Sequence, residues 1–165
     1  MVVPQRLCIV DSSVLIDLEY GGLIKEIFQL DQVWASPDMV ILEVKNPLGS
    51  LLMSFGLTKI ELGETETQEI LRLRGNYRQL SVSDLSCLVI AQLMNIPLIT
   101  GDGALRRAAE EKGVRVRGTL WILDELVRTK VIPGRIAADS LSKMKKAGGR
   151  FPPEEVSKRV KRWMP

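Results

Sequence analysis

The sequence predicts an α/β fold, a three-layer α/β/α sandwich around a mainly parallel sheet. Three observations carry this. Strand-like apolar runs alternate with helical patterns from residue 7 to residue 129, as successive βαβ units do. The runs LCIV (7–10) and PLIT (97–100) read as buried strands. The segment SDLSCLVIAQLM (83–94) is apolar nearly all round, with only Ser86 and Gln92 polar between 85 and 94. A helix of that composition runs through the interior.

The elements follow in order. After the strand at 7–10, residues 13–19 read as a helix closed by Gly21-Gly22. Apolar residues at 23, 24, 27, 28 and 30 predict a second helix over 23–30. QVWAS (32–36) is a strand, and Pro37 opens a helix over about 38–45 that Asn46-Pro47 ends. LTKIEL (57–62) alternates as a half-buried strand, and 65–79 is a polar-rich helix. The central helix runs over 83–94 and stops at Asn95-Ile96-Pro97. Beyond PLIT, Gly101–Gly103 turn into a helix at 104–112, stopped by Gly113. Residues 114–116 form a strand and 119–129 a helix. Two more helices, at about 133–146 and 153–163, are joined by Gly148-Gly149. The domain organisation is therefore a body at 1–130 and a basic helical extension at 131–165 packed on it.

Composition narrows the chemistry. The chain has 165 residues, 45% of them hydrophobic, enough for one well-buried domain. No run is long enough to span a membrane, and no secretory signal is apparent, so a cytoplasmic setting is expected. Cys8 and Cys87 lie in apolar stretches and read as reduced core residues. There is no histidine. That removes the commonest general base, the usual catalytic zinc ligand and any Ser-His triad. Charge is uneven: residues 1–127 hold 12 Lys/Arg against 17 Asp/Glu, and residues 128–165 hold 11 against 3. A basic tail suits phosphate contact, and equally a solvated helical face.

Four carboxylates stand in unusual places. Asp11 ends the first strand, and Asp102 follows the strand PLIT. Ligand sites of parallel sheets lie beyond such carboxyl ends. Asp84 stands at the mouth of the central helix, and Glu43 is the only charge in MVILEV (39–44). Each has a plain structural alternative. Asp11 or Ser12 can cap the following helix, S-V-S-D (81–84) matches a capping box, Asp102 suits a turn, and Glu43 can point outward. Taken together, four acids with no histidine or buried lysine to pair with call for a divalent cation. Oxygen-only sites suit Mg²⁺ or Mn²⁺.

The ordered motifs VDSSVLI (10–16), Glu43 in MVILEV, LSVSDLSCLVIA (80–91) and LITGDGAL (98–105) resemble the PIN-domain nucleases, which include VapC-type toxins. GGRFPPEEVSKRV (148–160) is similar to the C-terminal extension of a PIN-like branch. The resemblance implies an α/β/α sandwich, an acidic cluster binding one or two Mg²⁺ or Mn²⁺ ions, and cleavage of RNA. It implies that Asp11, Glu43, Asp84 and Asp102 are the catalytic, metal-binding residues, with Ser13 and Thr100 as supporting hydroxyls. It further implies a toxin–antitoxin role with a small antitoxin partner, and homodimers. One departure stands out: Gly103-Ala104-Leu105 supplies none of the polar residues that often follow the last aspartate in the family.

Arg106 and Arg107 follow Asp102 closely and can reach a phosphate near the metal, while Lys143, Lys145, Lys146 and Arg150 can track an RNA backbone. Lys158, Arg159, Lys161 and Arg162 are a further stretch for RNA or an acidic partner. No base-reading motif is evident. Asp17 reads as a solvated residue of the first helix. Among rivals, a haloacid-dehalogenase phosphatase needs a second aspartate where Ser13 stands, and a response-regulator receiver needs a buried lysine absent at 97–116. A non-catalytic binding module whose acids are relics is the alternative from another class.

Overall fold

The computed structural model describes residues 6–45 and 49–165. Five strands form one sheet: β1 (Leu7–Val10), β2 (Val33–Pro37), β3 (Thr58–Ile60), β4 (Leu98–Ile99) and β5 (Val116–Arg117), in the order β3-β2-β1-β4-β5. Every pairing is parallel. All four side chains of β1 are buried, as a central strand covered on both faces requires. Its register sets Cys8 beside Trp34 and Ile9 beside Leu98.

The helices are α1 (Ser12–Tyr20), α2 (Asp38–Glu43), α3 (Gly49–Phe55), α4 (Glu64–Arg74), α5 (Val82–Met94), α6 (Gly103–Glu111), α7 (Thr119–Arg128), α8 (Gly134–Lys146) and α9 (Pro153–Trp163). α5 crosses β1, β2 and β4, flanked by α4 and α6. Residues 85–91 of it are buried without a break, as its all-round apolar composition demands. α1, α7, α8 and α9 pack on one another as the other outer layer. The result is an α/β/α sandwich. Ala137, Leu141, Met144 and Trp163 of the C-terminal helices belong to the same buried cluster as β1 and α5. Among the described residues no helix is long and apolar enough to cross a membrane.

Three elements differ from the sequence reading. The helix expected at 23–30 is only a 3-10 turn at Glu26–Gln29. The Leu30 amide closes it by donating to the Ile27 carbonyl at 3.1 Å, and the indole Nε1 of Trp34 donates to the same carbonyl at 2.9 Å. The helix expected at 65–79 stops at Arg74, where the Asn76 and Tyr77 amides fold back onto the Leu73 carbonyl. α3 was not expected at all, and the Asn46-Pro47 stop lies outside the described residues.

Candidate active site

The strand order reverses direction between β1 and β4: β2 and β3 build outward on one side of β1, β4 and β5 on the other. The carboxyl edge at such a switch point is where an open parallel sheet leaves a crevice. Asp11 follows β1 there, and Thr100-Gly101-Asp102 follow β4.

Asp11 is 3% exposed. Its Oδ1 accepts from the Ser13 hydroxyl at 2.7 Å and the Val14 amide at 3.3 Å. The second contact caps α1, so Asp11 is the cap and Ser12 is the first helical residue. Its Oδ2 accepts from the Thr100 hydroxyl. That hydroxyl also accepts from the Asp102 amide at 3.0 Å, and the Ser13 hydroxyl accepts from the Gly101 amide at 3.0 Å. Two buried or half-buried hydroxyls thus lace the two strand ends together. A Cβ on Gly101 would stand 3.3 Å from Ser13 Oγ, so the close approach favours glycine. Burial pushes the Asp11 carboxyl up to about 6; the bonds from Thr100, Ser13 and Val14 oppose this, and the neighbouring Asp84 charge adds to it.

Asp84 is half-buried in the first turn of α5. Its Oδ2 accepts from the Ser81 amide at 2.9 Å while Ser81 Oγ accepts from the Asp84 amide at 3.0 Å, a reciprocal capping box. Glu43, the last residue of α2, is exposed and faces a hollow it shares with Ser12 and Tyr20. Cys87 lies one turn beyond Asp84. Its thiol is pushed well above the ordinary range by burial first, then by the charges of Asp11, Asp84 and Glu43. Each of these acids lies within electrostatic reach of this thiol in α5. Asp102 is exposed and caps α6 by accepting from the Leu105 amide at 2.7 Å. Thr100 links it to Asp11. None of the four carboxylates forms an ion pair with Lys or Arg among the described residues.

Asp17 is a correction. It is half-buried, not solvated: its Oδ2 accepts from the Thr119 hydroxyl at 3.1 Å. A Cβ on Gly149 would lie 3.2 Å from its Oδ1. Burial raises its carboxyl, and the Thr119 bond opposes that. Its position beside Leu18 and one turn after Val14, both buried, was the available signal.

The cations divide. Arg106 is half-buried and donates to the Thr100 carbonyl at 3.4 Å, next to the acids. Arg107 is exposed beside it. Lys143, Lys145 and Lys146 are exposed on the last turn of α8, and Arg150 is exposed just beyond. Arg159 and Arg162 both bind Asp124, with Arg159 half-buried and Arg162 still exposed. Lys158 pairs with Glu155.

A family model described as a PIN domain (DUF3368) matches residues 7–164, nearly the whole chain. The chain belongs to the PIN-domain family. No curated protein matches it. PIN domains are generally nucleases, hydrolases of phosphodiester bonds, and generally use divalent metal ions. In this PIN domain the donor chemistry suits such an ion: oxygen ligands only, one carboxylate buried, and no protein cation to offset them. Among the described residues no three acidic side chains stand close enough to enclose an ion.

Proposed function

We propose that this PIN domain is a metal-dependent endoribonuclease, the toxin of a toxin–antitoxin pair in the cytoplasm. The observation that supports the reading is the buried Asp11 carboxylate at the sheet's switch point, tied through Thr100 to the strand end that carries Asp102, within electrostatic reach of Asp84, and in no ion pair among the described residues. Asp11 and Asp102 would hold Mg²⁺ or Mn²⁺ directly, with Asp84 and Glu43 as further ligands or water-orienting groups. A bound divalent ion supplies positive charge that makes a nearby water more acidic and offsets charge building on phosphorus. Ser13 and Thr100 fix the Asp11 carboxylate so that it need not reorganise when the substrate arrives. Arg106 and Arg107 meet the phosphate beside the acids, and Lys143, Lys145, Lys146 and Arg150 extend the contact electrostatically.

Ile16 and Tyr20 flank Glu43, and Leu42 precedes it; they are 40%, 56% and 77% exposed. An apolar rim of this kind supports capture by a small antitoxin or a second copy of the chain.

The decisive experiment is cleavage of mixed RNA with Mn²⁺, with Asp11→Asn in parallel. Wild-type cleavage and its loss in a folded variant support the reading. A folded wild-type protein that cuts no RNA under these conditions favours a non-catalytic binding module. Millimolar Mn²⁺ should also raise the melting temperature, since a ligand at about 100 times its Kd stabilises by about 2.7 kcal/mol. RNA affinity should fall steeply with salt.

A further inference from the structure

A second cleft opens beside the carboxylates, about 510 Å³ in volume. Thr100-Gly101, the first turn of α7 and the connection between α8 and α9 wall it. Three arginines line it with little to neutralise them. Arg106 reaches Glu110 only at 4.0 Å, and Arg117 and Arg150 form no ion pair among the described residues. The fourth arginine in the wall, Arg159, is already met by Asp124 and Glu155.

The start of α7 adds to this positive charge, with the Asp17 carboxylate on the Thr119 hydroxyl as the acid beside it. The N-cap of α7 is Gly118, which offers no side-chain cap, and the first two helical residues, Thr119 and Leu120, face the cleft. A helix start presents free N–H groups and a partial positive charge. A Cβ on Gly118 would stand 3.1 Å from Arg106 Nη2, so the guanidinium lies across a position kept small. Trp121 and Phe151 supply aromatic wall. The volume falls in the range of small-ligand pockets, roughly 300–1,000 Å³. Cations and aromatics side by side in one wall match a phosphate joined to a base.

We propose that this cleft is a subsite for a nucleotide of single-stranded RNA next to the scissile phosphate, with its phosphate on Arg106, Arg117 and Arg150 and its base against Trp121 and Phe151. The assignment of position rests on the nuclease reading above. Thr100 joins the two places: its hydroxyl bonds Asp11 and its carbonyl receives Arg106, so a strand leaving the cleft runs directly over the acids. Only an unstacked base can enter such a wall, which selects single strands.

The test separates this subsite from cleavage. The full-length protein in EDTA is titrated with 5′-AMP and with adenosine by calorimetry, and the three tryptophan indole NMR signals are followed. AMP should bind and shift the Trp121 signal, and adenosine should bind at least about tenfold more weakly. Arg117→Ala and Arg150→Ala, both at exposed positions, should each weaken AMP about tenfold. Asp11→Asn should leave AMP binding intact. Absence of AMP binding, or binding indifferent to both arginine variants, overturns the subsite even if RNA is cleaved. AMP binding with the expected losses upholds the cleft's ligand class even if no RNA is cleaved; the nuclease reading, with the adjacency to a scissile phosphate, then fails by itself.

Discussion

The Thr100 hydroxyl at the end of β4 donates to the Asp11 carboxylate at the end of β1. The two residues are 89 positions apart in sequence, yet this bond fixes a buried charge at the seam where the sheet reverses direction.

Thr100→Val keeps the shape and removes the hydroxyl. It leaves Asp11 Oδ2 and the Asp102 amide without their partner, at an expected cost of about 1–3 kcal/mol. Urea denaturation measures this, and Thr100→Ser should recover most of it. A Val variant as stable as wild type would show that the bond contributes nothing.

The raised Asp11 pKa has a defined sign. The folded protein binds this proton more tightly than the unfolded chain, whose aspartates titrate near pH ~3.9. The contribution is complete below that pH and is lost as pH rises through about 6. At neutral pH the ionised, metal-free Asp11 therefore weakens the fold by up to about 3 kcal/mol. Asp11→Asn should melt above wild type at pH 8 in EDTA, with the gap closing toward pH 4. A lower melting temperature at pH 8 would contradict the burial cost.

Asp124 holds α9 in place. Its carboxylate accepts from Arg159 Nε at 2.8 Å, from Trp163 Nε1 at 3.1 Å and from Arg162. Arg159 is half-buried and keeps Glu155 as a partner, so Asp124→Ala leaves its Nε and the Trp163 indole N–H without their acceptor. A loss of about 2 kcal/mol is expected, with faster amide exchange along α9. Unchanged exchange there would mean that packing of Trp163 alone holds the helix.

Both thiols should be inert in the native protein. Burial pushes Cys8 up to about 12, and Cys87 is raised as well, so thiolate is scarce at pH 8. A thiol reagent should react only after denaturant is added. Prompt labelling of the native chain would refute the packing around α5.

The sequence carried much of this fold in a few segments. Four apolar residues in β1 and the all-round apolar α5 sufficed to place the interior, because hydrophobic burial depends on residue type more than on partners. The Glu26–Gln29 turn was not legible, since the Trp34 indole that also binds its Ile27 carbonyl comes from another element. Of the candidate residues, Asp11 and Asp102 were visible as strand-end acids, and the capping roles of both stand beside that position without replacing it. Asp17 was hidden because its environment comes from Thr119 and Gly149, far along the chain. The Arg-lined cleft was hidden for the same reason: it draws on three distant segments, and no periodicity reports such a meeting.

The sheet ends at β3 and β5, strands of three and two residues. Each edge carries an exposed cation, Lys59 on one and Arg117 on the other. A foreign strand finds too few free backbone groups to zip onto, and a charge it must bury. Runaway fibre growth by edge pairing is thereby closed to this molecule at high concentration. Sheet extension is thus the disfavoured way for copies to pair, and side-chain surfaces the favoured one.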